Sequence, residues 1–215
     1  MTRSRLLLLL VLLAPLAAIA QDLALLGRLA TPGHALLIRH AYAPGIGDPP
    51  RFRIGDCSTQ RNLDAQGREE ARAAGNALRA AGISDARVLA SEWCRCGETA
   101  RLLGIGAVEN APALNSFFAN PDEGPSRVAA TKALLGRLAQ ETKPVVMVTH
   151  DVTIAGLTGR RLGTAEGVIV RTTAEGIETV GTVAKTVNIV GGLIHATEST
   201  SPLHGCFLRL LHRRR

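Results

Sequence analysis

The sequence predicts a single α/β domain, built as three αβα layers around a mostly parallel sheet. Short apolar runs that read as strands alternate with longer stretches of helical periodicity, which is the pattern of βαβ units. The strand runs are apolar almost throughout, as strands covered on both faces must be. Val145-Val-Met-Val-Thr149 is the most strand-like of them. The 215 residues, 46% of them hydrophobic, suffice for one sizeable core. That apolar content excludes disorder as the main state. Four Cys in so long a chain exclude a small disulfide scaffold.

The N-terminus reads as an address. Arg3 and Arg5 precede an apolar run from Leu6 to Leu13, Pro15 interrupts it, and Ala18-Ile19-Ala20 supplies a small-x-small cleavage site. Residues 1–20 are therefore expected to be an export signal cleaved after Ala20, which makes the mature protein periplasmic or secreted. The competing reading is an uncleaved anchor, for which the apolar stretch is short. No later segment is apolar and long enough to span a bilayer, so no stable membrane insertion is expected after cleavage.

Pro32-Gly33 form a turn before the first strand, His34–Arg39. Residues 41–63 are loop, because Pro44-Gly45, Gly47-Asp48-Pro49-Pro50 and Gly55-Asp56 forbid long regular structure. Asp64 is an N-cap for a helix to Ala81, with Ala71, Ala74, Leu78 and Ala81 as its apolar stripe and Gly82 as its end. Ala86–Ala90 is the second strand, and Glu92–Leu103 the second helix, closed by Gly104. Residues 104–125 are mixed, with Phe117-Phe118 expected to pack under a loop. Ser126 is expected to cap a third helix to about Gln140. Pro144 introduces the strand Val145–Thr149, residues 151–158 begin another helix, and Val168–Arg171 is a further strand. The domain is expected to occupy residues 21–185. Residues 186–215 form a C-terminal extension without a readable pattern, ending in Arg213, Arg214 and Arg215.

The charge balance is 25 Lys plus Arg against 18 Asp plus Glu. Nucleic-acid binding is not expected, since aromatic residues make up only 3% of the chain and the arginines are scattered. Scattered Arg suits a small anionic substrate. In an oxidising compartment Cys57, Cys94, Cys96 and Cys206 are disulfide candidates. Cys94 and Cys96 lie on one helical turn, where a mutual bond has poor geometry. Cys57 bonded to either of them is the preferred pairing. The rival reading is a zinc or thiol-redox site, but Cys94-Arg95-Cys96 lacks the usual ligand spacing and no paired His lies near. No metal and no cofactor is expected.

Two strands run straight into histidine: Arg39-His40 ends the first, and Thr149-His150 ends the third. Ligands of an open parallel sheet sit outside the carboxyl ends of its strands. Arg95 follows the second strand closely, so three strand ends deliver two His and two Arg to one place. That set suits a phosphoryl group. Arg offers a planar, permanently charged donor fork to its oxygens, and a His with one ring nitrogen held can attack phosphorus with the other.

These residues resemble a known family. Leu37-Ile-Arg39-His40-Ala41 is similar to the R-H-G/A signature of the histidine phosphatase superfamily, in its phosphoglycerate mutase-like branch. Asn62-Leu-Asp-Ala-Gln-Gly67-Arg-Glu-Glu-Ala71 resembles its L-T-x-x-G-x-x-x-A helix. Ala90-Ser91-Glu-Trp-Cys-Arg95-Cys-Gly-Glu-Thr99-Ala100 resembles its S-S-x-x-x-R-x-x-x-T-A block, and Val148-Thr-His150-Asp151 its second-histidine block. The likeness covers about residues 34–171. It implies a metal-independent phosphoric monoester hydrolase. His40 becomes phosphohistidine, and Arg39, Arg95 and His150 bind the phosphoryl group. The general acid stays open. One branch places a Glu in the region of residues 105–125, where Glu109, Asp122 and Glu123 are available. The acid phosphatase branch uses a His-Asp pair, which His150-Asp151 resembles. For Asp151 the competing role is a helix cap.

Arg61, Asn62 and Thr59 are candidates for the pocket rim, while Arg51 and Arg53 read as solvated loop charges. Tyr42 and Trp93 read as packing. The expected partner is a small phosphorylated molecule: a sugar phosphate, a phospholipid or polysaccharide phosphate, or a phosphorylated protein. The alternatives are a non-catalytic phosphate-ligand binder on the same fold and a phosphomutase.

Overall fold

The computed structural model describes residues 20–185. The expected export signal, but for its last residue, lies outside them, as do residues 186–215 with Cys206. Six strands form one sheet: β1 (His34–Arg39), β2 (Arg87–Ala90), β3 (Val108–Asn110), β4 (Val145–Thr149), β5 (Gly167–Thr173) and β6 (Gly176–Val183). Their order is β3-β2-β4-β1-β5-β6. The first four are mutually parallel, while β5 runs antiparallel to β1 and β6 antiparallel to β5. Among the described residues a helical segment over 20–26 packs Leu25 and Leu26 into the core, and four further helices flank the sheet: α1 (Ala65–Ala80), α2 (Cys94–Leu103), α3 (Gly124–Arg137) and α4 (Asp151–Thr158).

Strand alternation divides the core in two. Leu36, Ile38, Val88, Ala90, Val146, Val148 and Ile169 pack on one face with Ala74, Leu78, Cys96, Ala100 and Leu103 of α1 and α2. Ala35, Leu37, Leu89, Val145, Met147, Val168 and Val170 pack on the other with Leu134 and Leu135 of α3 and Ile154 of α4. Every residue of β4 is buried, because it lies inside the sheet with helices on both sides. The expected three layers and mostly parallel sheet are what the chain forms.

Several boundaries differ from the sequence reading. Asp64 is the N-cap of α1, its carboxylate accepting from the Gly67 N–H at 2.8 Å. The second helix begins at Cys94 rather than Glu92, with Trp93 extended before it. Ser126 lies inside α3 rather than capping it. Its hydroxyl donates to the Glu123 carbonyl, and Pro125 occupies the first turn, where its missing N–H costs nothing. The mixed stretch 104–125 holds a short strand, β3, and β6 was not read from the sequence at all. Both are edge strands whose faces are mostly exposed or half-buried, so neither carries a buried strand's apolar run.

The loop from Ala41 to Leu63 lies over the carboxyl ends of β1, β4 and β2 and is tied down at several points. A disulfide joins Cys57 to Cys94 across 37 residues, with the Cα atoms 5.6 Å apart. It fixes the far half of the loop to the first residue of α2. Gly67 admits the near half, since a Cβ there would stand 1.9 Å from the Tyr42 carbonyl oxygen. Any larger residue would push the chain following His40 away from α1. With Cys57 and Cys94 joined to each other, the zinc and thiol-redox readings lose two of their ligands. Cys96 is buried and free, and burial pushes its thiol pKa up to about 12, which keeps it an inert S–H.

Candidate active site

Parallel strands end at the same level, and that places the key side chains. Arg39 is in register with Thr149, so His40 and His150 emerge side by side from adjacent strands. Their rings stand edge to face, 5.4 Å between centroids. Backbone bonds fix the position of His40: its N–H donates to the Thr149 carbonyl at 2.9 Å. The next N–H, of Ala41, donates to Thr99 Oγ1, whose own hydroxyl donates to the Arg95 carbonyl. Thr99 thus binds the strand carrying His40 to the helix carrying Arg95.

The ring of His40 is held in one tautomer. Nδ1 lies 2.8 Å from the Ala41 carbonyl, which can only accept, so Nδ1 carries the proton. Nε2 is then a lone pair, and Arg95 Nε–H donates to it at 3.2 Å. Burial and then the cations Arg95, Arg61 and Arg39 lower the His40 pKa to about 3, against a smaller upward pull from the Ala41 carbonyl. His40 is therefore a neutral imidazole with its free nitrogen directed at a guanidinium.

His150 is held by its other nitrogen. Asn115 Oδ1 can only accept, so the Ser91 hydroxyl donates to it. The hydroxyl then accepts from His150 Nε2–H at 2.9 Å. This leaves Nδ1 as the second ring position. Burial, then His40 and the three arginines, press the His150 pKa well below its usual range. Trp93 lies against the same ring, 5.2 Å away and edge to face. The structure thus puts Trp93 in the pocket wall and not only in the core.

One residue of the site was not found in the sequence. Asp48 sits on Arg95 in a two-pronged pair, Oδ1 to Nη1 at 2.8 Å and Oδ2 to Nη2 at 3.1 Å. The Arg95 side chain is 4% exposed and that of Asp48 9%. Asp48 also accepts from the Arg61 backbone N–H at 3.1 Å and from Trp93 Nε1–H at 3.0 Å. Burial alone would raise its carboxyl pKa, but Arg95, the Arg61 N–H and Trp93 outweigh burial and hold it below the usual range. The available signal was that Asp48 is the one acid between His40 and Asp56. It stands among Pro and Gly in a stretch that reads as a plain turn.

Arg61 belongs to the pocket as expected. Its guanidinium donates to the Gly47 carbonyl at 2.8 Å and to that of Ala43, bracing the same loop. Arg39 donates Nη1–H to the Leu162 carbonyl, and its buried Nε–H has no partner among the described residues. Arg39, Arg61, Arg95 and Asp48 therefore line one pocket with His40, and Asp151 and Arg161 line it too. Asp151 lines the pocket but does not cap its helix. Its carboxylate pairs with Arg161 at 2.5 Å and accepts from the Leu162 N–H at 3.0 Å.

Other candidates lie elsewhere. Asn62, expected at the rim, spends its amide on the Cys57 and Gln60 carbonyls and does not line the pocket. Thr59 closes a turn with Asp56 and Arg53. Glu109 pairs with Arg87 and Glu123 with Arg127, and neither they nor Asp122 lines the pocket. Arg53 pairs with Asp56 and Arg51 is exposed. Phe118, expected under a loop, stands exposed at the pocket mouth, while Phe117 packs against α3 and α4 at Gly124 and Gly156.

No protein-family model matches the chain, and no curated protein does. Solved structures do. The protein histidine phosphatase SixA, in complex with tungstate, is 18% identical at a TM-score of 0.53; the match covers 71% of this chain and 97% of that one. A mycobacterial glucosyl-3-phosphoglycerate phosphatase with bound VO3 is 15% identical at 0.52, over 71% of this chain and 99% of that one. A phosphoserine phosphatase variant from Entamoeba histolytica, in complex with phosphoserine, is 14% identical at 0.52, covering 71% and 97%. The chain has the fold of the histidine phosphatase superfamily.

Proposed function

We propose that this chain is an exported, metal-independent phosphatase that hydrolyses a phosphomonoester through a phosphohistidine on His40. One observation carries the reading: a neutral imidazole whose Nε2 lone pair opens onto Arg39, Arg61, Arg95 and His150. A phosphoryl group entering the pocket places its oxygens on these cations and takes up the unpartnered Arg39 Nε–H. Its charge then favours a proton on His150 Nδ1, which becomes a further donor. Nε2 attacks phosphorus while positioned charge stabilises the equatorial oxygens. The proton the alcohol needs arrives on the monoanionic ester: Asp151, a carboxylate at the edge of the same pocket, takes it as Arg161 turns to the phosphoryl oxygens and passes it to the leaving oxygen. Water then attacks the phosphohistidine, Asp151 accepts its proton and hands it to the departing phosphate, and His40 is left neutral. Export is supported by the N-terminal pattern and by the Cys57–Cys94 disulfide, a bond that persists in oxidising compartments.

The chain's own Asp48 already occupies the cradle. The Asp48 carboxylate takes the Nη face of Arg95, and Arg95 Nε–H covers the attacking nitrogen. Substrate must displace the carboxylate and shift the guanidinium before His40 can attack.

Three outcomes follow from this reading. His40→Ala lowers release of phosphate from an aryl phosphate by roughly 10⁴-fold or more, and a chelator leaves the wild-type rate unchanged; retained turnover in the variant refutes the nucleophile. Asp48→Asn removes the internal competitor, so calorimetry finds inorganic phosphate bound about tenfold more tightly, on the order of 1.4 kcal/mol; weaker binding shows instead that Asp48 holds Arg95 in place for the ligand. The third concerns pH. His40 and His150 stay neutral in the folded chain where the unfolded chain takes up protons. Stability is therefore complete above about pH 6.5 and falls as the pH drops from there toward 3. Denaturant titrations between pH 7 and 4 give the slope, and His40→Asn reduces it. A stability independent of pH over that range contradicts the buried neutral pair.

A further inference from the structure

The alcohol side of the pocket differs from its floor. The cavity holds about 480 Å³, within the roughly 300–1,000 Å³ of pockets that take whole small molecules. The cations occupy its base. The wall above them is apolar, formed by Ile46, Pro49, Pro50, Phe52, Trp93 and Phe118. Among the described residues three large hydrophobic side chains stand exposed, and two of them, Ile46 at 91% and Phe118 at 56%, are on this wall. Scattered exposed apolar residues need no explanation, but a contiguous group over a charged site does.

The loop presents Ile46 by construction. Gly45 and Gly47 both have positive φ, +89° and +68°, a conformation that disfavours other residues. Asp48 anchors the loop one residue further on, and Arg61 braces it through the Gly47 carbonyl. Phe118 meets this tip from the opposite loop: a Cβ on Gly47 would lie 3.7 Å from the ring. From Tyr42 to Phe52 the one ionised side chain lining the cavity is Asp48, and it faces inward to Arg95. From Ala43 to Phe52 the lining offers no polar side chain besides Asp48. Beyond the cationic base, the remaining polar side chains at the cavity are Tyr42, Asp151, Arg161 and Thr164, with Ser116 and Asn120 either side of Phe118, the first accepting from the Phe118 N–H and the second donating to Glu123.

We infer that the substrate is an amphiphile, a phosphomonoester of a long-chain aliphatic alcohol or lipid, whose head enters the cationic base and whose first methylenes lie along Ile46, Phe118 and the two prolines. The inference rests on the phosphatase reading for its chemistry and on the wall for its selectivity. Each methylene buried there raises affinity by about fourfold.

The test uses two series from two to eight carbons. Alkylphosphonates, which cannot be hydrolysed at carbon–phosphorus, report binding by calorimetry, and alkyl phosphates report turnover. Both affinity and kcat/KM are expected to climb more than tenfold along the series. In the double variant Ile46→Ser, Phe118→Ser the ratio of eight-carbon to two-carbon affinity collapses toward one. Affinity independent of chain length overturns the inference, even if every alkyl phosphate is hydrolysed. A climb unaffected by the double variant overturns it too, as does a preference for glycerol phosphate or a phosphotyrosine peptide over octyl phosphate. A climb in phosphonate affinity with no turnover of any phosphate upholds the apolar wall and sinks the phosphatase reading instead.

Discussion

The guanidinium of Arg95 is the joint on which the site turns. It donates through Nε to Nε2 of His40 and through both Nη groups to Asp48. Removing either partner of a buried pair of this kind leaves an unpaired charge, at about 3–5 kcal/mol. The pair therefore holds the 41–63 loop on the sheet edge for as long as no other anion is present. A phosphoryl group is such an anion, with more charge and more acceptor oxygens than a carboxylate. The loop that Asp48 anchors also carries the apolar wall.

Everything around that joint makes the geometry rigid. Strand register sets His40 beside His150. Thr99 links the residue after His40 to the helix of Arg95, and Ser91 with Asn115 orients His150. These bonds fix His40 and His150 in place, so the rearrangement the proposed reaction requires is confined to Asp48 and the Arg95 guanidinium. The burial that holds the two imidazoles neutral also keeps the Nε2 lone pair available well below neutral pH.

How much of this could be read from the sequence depended on where each residue stands. Arg39, His40 and His150 follow strand-like runs directly, and a strand end in a parallel sheet has a known place. Arg95 lies a few residues past another. The disulfide was half legible, because helical spacing excludes Cys94 with Cys96 but cannot choose which of them meets Cys57. Asp48 was illegible for a physical reason. Loop residues 41–63 have no periodicity, and their path is set by contacts from Arg61, Trp93 and Gly67 that arise only when distant segments meet. Asn62 failed in the same way: nearness in sequence to Arg61 did not put its side chain on the same side of the chain. The edge strands β3 and β6 escaped because an exposed strand lacks the apolar run that marks a buried one.

Acid-labile phosphate on a single histidine is the most direct measure of the central claim. The mature protein is mixed with a large excess of aryl phosphate, quenched in alkali within milliseconds, digested and sequenced by mass spectrometry. The account predicts a phosphoryl adduct on the peptide containing His40, stable to base, lost in acid and absent after prolonged incubation once substrate is spent. An adduct on any other residue contradicts it, as does rapid turnover with no covalent species at saturating substrate when hydrolysis of the intermediate has been slowed by cooling.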